Sequence, residues 1–172
     1  MKVLLKAMLL LALCLIVPLS ASGEGMVPLT FDGFTCYLWD SWHYLETKDF
    51  NGSAQVTYTK APGSRLGDIF VIQTKVAASP EALYDHGKVT ERLARSTAEY
   101  LCARVYSVEM FELNGVPSAL IIGSYPTGAH DYHVICMTRQ GNVGVVLRLA
   151  VSTDTMEEAR AMMMLVLGEG QN

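Results

Sequence analysis

The 172-residue sequence predicts an α+β domain, a central antiparallel β-sheet flanked by helices. Three observations carry this. Four strand-like runs follow one another at 105–113, 116–125, 130–139 and 143–151, and connections as short as Asn114-Gly115 and Gln140 to Asn142 make neighbouring strands antiparallel. Helical spacing of apolar residues occupies 80–102 and again 154–167. Further strand-like runs precede the first helix, opening with a pair joined by Asp32-Gly33.

The chain begins with a targeting segment. Lys2 and Lys6 form a short positive region, Ala7 to Val17 is an unbroken apolar run, and Pro18 ends it. Ser20, Ala21 and Ser22 are small enough for a signal peptidase. Residues 1–22 are therefore expected to be a secretory signal peptide, cut after Ala21 or Ser22, with 23–172 as a single domain. The alternative is an uncleaved membrane anchor, but Lys6 interrupts the run and a bilayer span needs ~20 apolar residues. Cys14 follows Leu13 inside the apolar run, where a lipidation site takes a small residue, so it is expected to leave with the signal.

Val27 to Phe31 is a short extended piece that Pro28 restricts to an edge. Asp32-Gly33 turns it into Phe34 to Trp39, where Phe34, Cys36 and Leu38 share one face. Asp40 to His43 reads as a helical turn anchored by Trp42, and Phe50 to Gly52 as a loop. Ser53 to Lys60 alternates, with Ala54, Val56 and Tyr58 against Gln55, Thr57 and Thr59. Asp68 to Val76 is apolar on both faces from 69 to 72, as in a strand covered on both sides.

Ser79-Pro80-Glu81 has the chemistry of a helix start: a cap, a proline at the first position and an acid at the dipole's positive end. The helix is expected to run over 80–102, with a kink or fresh start at Gly87 as the alternative. In the last strand Val143, Val145, Leu147, Leu149 and Val151 occupy one face and Gly144, Val146, Arg148 and Ala150 the other, a position near the middle of a sheet. The closing helix can start from a capping box, Asp154 with Glu157 or Thr155 with Glu158, and stop at Gly168. Met162 to Met164 diverge around that helix, so they fit adaptable core filler better than a soft-metal site.

Once the leader is gone, about 150 residues remain, enough for one ordinary domain with its own core. Without Lys2 and Lys6 there are 11 basic against 17 acidic residues, a net charge near −6. That balance, with no basic run, argues against nucleic acid or an anionic membrane as partner. Cys36, Cys102 and Cys136 allow one disulfide in an oxidising compartment, with three possible pairings, or three buried thiols.

His130-Asp131-Tyr132-His133 is the most inviting cluster for chemistry. On a strand, 130 and 133 point to opposite faces and only Asp131 and His133 share a side. That pair is the candidate for an alternative function as a small enzyme or metal-binding protein. Trp42 and His43, beside Trp39 and Tyr44, are the other binding candidates, as an aromatic platform. His43 and His86 have no partner recognisable from sequence. The chain contains no Gly-x-Ser-x-Gly, phosphate loop, His-Glu-x-x-His or Cys-x-x-Cys, so no catalytic residue, metal or cofactor is expected.

Trp42 after the second strand, the Ser79-Pro-Glu-Ala-Leu83 helix start, the hairpin Leu113-Asn-Gly-Val-Pro-Ser-Ala119 and the closing Val151 to Thr155 with Glu158-Ala159 together resemble the PsbP-like superfamily. This is an α/β/α sandwich found in photosystem II extrinsic proteins, Ran-binding Mog-type proteins and many bacterial envelope proteins. The resemblance covers almost the whole chain after the leader and implies that fold. It also implies a non-catalytic role, since few members are enzymes and most bind proteins or have no assigned role. A cystatin-like or NTF2-like cone is the competing architecture, although those usually place a long helix before most strands. The expectation is a secreted, periplasmic or cell-surface binding domain with no membrane span after cleavage, its partner another protein or a component of the cell envelope. Any functional surface is expected in the connections at 40–52, 61–67 and 126–131.

Overall fold

The computed structural model describes residues 25–50, 53–63, 67–83 and 88–169; the expected signal peptide, His86 and the alternative kink or fresh helix start at Gly87 lie outside them. Strands β1 (Met26–Phe31) and β2 (Phe34–Trp39) form a separate hairpin. Next come β3 (His43–Phe50), β4 (Ser53–Thr59) and β5 (Ile69–Val76), a single 3-10 turn at Pro80–Ala82, and helix α1 (Glu91–Leu101). The second half supplies β6 (Arg104–Leu113), β7 (Val116–Ser124), β8 (Tyr132–Gln140), β9 (Val143–Val151) and helix α2 (Met156–Val166).

Among the described residues, β3 to β9 form one antiparallel sheet of seven strands in the order β3-β4-β5-β9-β8-β7-β6. The early and late meanders meet at β5 and β9, which places β9 in the centre, as its two apolar faces require. Both short hairpins turn as their sequences dictate. Asp32-Gly33 and Asn114-Gly115 have positive φ at both residues (49° and 85°, 51° and 76°), the combination that matches the twist of the flanking strands.

One face of the sheet carries the larger core. The β1–β2 hairpin lays Phe34, Cys36 and Leu38 over Val56, Phe70 and Ile72, and α2 adds Ala159, Met163 and Val166 over Val134, Cys136, Leu147 and Leu149. Met162 and Met164 pack around the rim of this core, and Met163 is fully buried. Helix α2 starts from Thr155, whose hydroxyl accepts from the Glu158 amide at 3.2 Å, so the second of the two expected caps is the one used. It stops at Gly168 (φ +86°), where the amides of Gly168 and Glu169 donate to the carbonyls of Leu165 and Met164. The opposite face is covered by α1, whose Ala94 and Ala98 sit against Ala119, Ile121, Ile135 and Met137. A layer on each face gives an α/β/α sandwich; the cone alternative does not form.

Three expectations are corrected. Ser79-Pro80-Glu81 closes only one turn, with the Ala82 amide donating to Ser79 O at 3.1 Å. The long helix starts at Glu91, where Thr90 accepts from the Leu93 amide at 3.3 Å and Val89 and Ala94 are buried in one cluster. Residues 43–50, read as a turn and a loop, form β3. Its alternation is broken by an irregularity between Tyr44 and Glu46, and as an edge strand it carries exposed Lys48 and Asp49, which hide a β pattern while protecting the edge. The Trp42 region is a tight turn, its amide donating to Trp39 O at 3.0 Å, and not a helical one.

Cys36, Cys102 and Cys136 are buried free thiols. Cys36 and Cys136 belong to the larger core and Cys102 to the cluster under α1. Burial pushes Cys36 and Cys136 up to about 12 and raises Cys102 as well.

Candidate functional site

Helix α1 covers only the β6-β7-β8 half of its face. Strand register defines what the other half presents. One row runs Thr57, Val71, Arg148, Ile135, Ile121, and the next runs Thr59, Ile69, Ala150, His133, Gly123. Where α1 ends, these rows form a depression of about 160 Å³ lined by Gln55, Thr57, Ile69, Val71, Tyr125, His133, Arg148 and Ala150.

Arg148 is its electrostatic centre. The side chain leaves β9, passes β5 and reaches β4, where Nη2 donates to Gln55 Oε1 at 3.1 Å. Nε is buried and has no hydrogen-bond partner. Among the described residues no carboxylate is paired with it, and none lines the depression. Burial lowers its pKa while neighbouring Tyr125 acts in the opposite direction, and an arginine so perturbed remains a cation. An unpaired, partly buried charge disfavours the folded state unless something compensates it.

His133 is 3% exposed and stands beside this cation. Nδ1 lies 3.2 Å from Leu101 O; a carbonyl only accepts, so Nδ1 carries the proton and Nε2 of the neutral ring keeps a lone pair. Burial, then the charge of Arg148, holds the ring at about 4, with a smaller contribution from His130 and the Leu101 bond opposing. Tyr125 is placed edge-to-face against both histidines, with centroids 5.0 Å from His130 and 5.1 Å from His133. Next to His133 on β7, Gly123 makes room for the chain leaving α1: a Cβ there would lie 2.5 Å from Arg104 O and 2.7 Å from Cys102 Sγ.

The sequence candidates are dispersed. His130 is buried against Tyr125 with Nε2 unpartnered; burial lowers its pKa, and Asp68 and Asp131 act weakly the other way. Asp131 is exposed and lines a separate, open depression of about 510 Å³ with Tyr106, Tyr132 and Met156. The structure does not bring Asp131 to His133: residues 130 and 131 precede β8, so strand parity does not govern them, and His130 and His133 meet the same tyrosine. Trp42 is core, its ring centroid 5.8 Å from that of Trp39, and His43 is exposed on the edge strand. Neither lines the Arg148 depression. Among the described residues no three His, Cys, Asp or Glu side chains converge as a metal site.

Arg148 was absent from the sequence candidates. Its signal was there: it is the one charged residue in Val143–Val151, a strand otherwise apolar on both faces. Such a charge in a central strand is costly and calls for a partner. The arrangement offers a fixed positive charge, a neutral acceptor, a phenol and a short apolar floor.

No protein-family model and no curated protein sequence matches the chain. A solved structure does. The solution structure of cyanobacterial PsbP (CyanoP) from Synechocystis sp. PCC 6803 superposes with a TM-score of 0.59 over 87% of this chain and 93% of that one. The fold is PsbP-like. Sequence identity is 12%, so the likeness concerns the PsbP-like architecture alone. No helix of the described residues is long and apolar enough to cross a membrane.

Proposed function

We propose that the chain is secreted and works outside the cytoplasm as a non-catalytic binding domain, whose partner presents an anionic group to the half of the sheet that α1 leaves open. The observation that carries this reading is the Arg148 guanidinium in that open half, which has no carboxylate partner among the described residues. The positive n-region and apolar run of residues 1–22 support export. The PsbP-like architecture supports a binding role by analogy of fold. The lining of the depression supports the binding of an anion, because it offers a fixed cation, a phenol and a neutral histidine with no carboxylate among them.

Site-specific photo-crosslinking in cells tests the reading. A photoreactive residue at Gln73, which pairs with Gln55 at the margin of the depression, is expected to yield discrete adducts in the extracytoplasmic fraction. The same probe at Glu157 on α2 should not. Equal adducts at both places, or protein confined to the cytoplasm, would contradict it.

A further inference from the structure

We propose that the Arg148 depression recognises a single carboxylate carried on a short aliphatic skeleton. The inference rests on reading the open half of the sheet as a binding face, and it adds the chemistry of the ligand.

Charge comes first. The depression holds one permanent positive charge with no acid paired to it among the described residues. His133 lines the same space with Nδ1 committed to Leu101, so it adds a lone pair and no charge. A monoanion matches this balance, whereas a dianionic phosphate would bring a second negative charge into a site with no second cation. Geometry agrees. Gln55 takes one of the five guanidinium N–H groups, Nε–H is sealed without a partner, and a planar carboxylate is the group that the remaining fork pairs with most readily. Tyr125 and Thr57 supply hydroxyls at the rim.

Size and polarity set the remainder of the ligand. At roughly 30 Å³ for each water-sized group, about five such groups fill the space. Ile69, Val71 and Ala150 form a small apolar part of the lining, beside the polar Gln55, Thr57, Tyr125, His133 and Arg148, and that part accommodates an alkyl stub. Two sources carry this chemistry, a free short-chain acid and the carboxyl terminus of a peptide ending in a small residue.

Calorimetric titration of residues 23–172, which hold the whole described fold, distinguishes them. Propionate represents the free acid and N-acetylalanine the peptide terminus; propionamide and inorganic phosphate are the contrasts. At neutral pH and low salt, at least one of the two carboxylates is expected to bind with a Kd on the order of 1 mM, the range for so small a ligand, and the amide at least about tenfold more weakly. The tighter of the two names the source. Arg148→Gln should weaken binding by at least about tenfold. Gln55→Glu guards against a variant that merely fails to fold, because it sets an internal carboxylate on the guanidinium and should abolish binding while keeping the fold. Absence of saturable binding of either acid by folded protein overturns the proposal, as does tighter binding of phosphate or unchanged binding by Gln55→Glu. If crosslinks form at Gln73 while neither acid binds, the carboxylate assignment alone is lost.

Discussion

At the scale of single residues, Arg148 and His133 carry features that folding alone does not call for. Arg148 is a half-buried cation and His133 a buried ring on the sheet face that α1 leaves partly open. Arg148 opposes stability in its present environment, and His133 does so once the pH falls below about 6.5. Arg148→Met keeps the unbranched stem of the side chain and removes the charge. It is expected to raise the melting temperature by a few degrees, corresponding to about 1 kcal/mol, while losing ligand. A clear fall would mean that Arg148 is a structural strut. His133 sets a pH dependence whose sign follows from linkage. Its pKa falls from an ordinary 6.5 to about 4, so between those values the unfolded chain binds a proton that the folded one refuses. Stability is then complete above about pH 6.5 and declines as the pH drops toward 4, by roughly 3 kcal/mol for this residue. Buried His130 adds in the same direction, tempered by Asp68 and Asp131, and Arg148 faces His133 throughout. Chemical denaturation at a series of pH values checks this, with His133→Gln expected to flatten the profile. Of these two residues only His133 was marked in the sequence, and for a pairing with Asp131 that does not form. Arg148 was legible in principle, as a lone charge within an apolar strand, but which neighbours would leave it unpaired depends on the β4-β5-β9 register, which no local pattern encodes.

At the scale of elements, what could be read was whatever short-range chemistry decides. The Asn114-Gly115 and Asp32-Gly33 hairpins, the four strands of the late meander and the Thr155 cap of α2 follow from turn residues and periodicity. Two elements were misread because signals competed. The Ser79-Pro80-Glu81 start is genuine local chemistry that closes only a 3-10 turn, while the α-helix takes the less conspicuous Thr90. Thr90→Ala is therefore expected to cost about 1 kcal/mol, measured by urea unfolding, and Ser79→Ala close to nothing. The reverse order of effects would restore the longer helix. Strand β3 is an edge strand with its alternation interrupted at Tyr44/Glu46, so its β character comes from pairing with β4 and not from its own sequence.

At the scale of the whole molecule, the sandwich was legible because its second half is a continuous meander closed by a helix, and the chain superposes on CyanoP at 12% identity. The location of the candidate site was not legible. Functional surface was expected in the connections, whereas the depression is formed mainly by strands, with Tyr125 from the connection after β7. It lies where α1 ends, beyond the strands that the helix covers. The cysteines test the packing of both layers at once. Cys36, Cys102 and Cys136 are free and buried, with thiols raised by burial, so residues 23–172 should resist a thiol reagent when native and titrate three thiols once unfolded. Rapid labelling of the native protein would contradict the sandwich as described.

On the proposed function, Arg148 is a cation held for an anion supplied from outside the fold. Its Nε–H, sealed from water without a partner, should exchange slowly enough to give a resolved proton–nitrogen resonance, assignable by its loss in Arg148→Gln. Following that resonance during a titration with propionate and N-acetylalanine is the most direct measurement. A saturable shift matching the calorimetric affinity is the predicted result; a resonance unmoved by both acids, in protein that remains folded, would contradict the account.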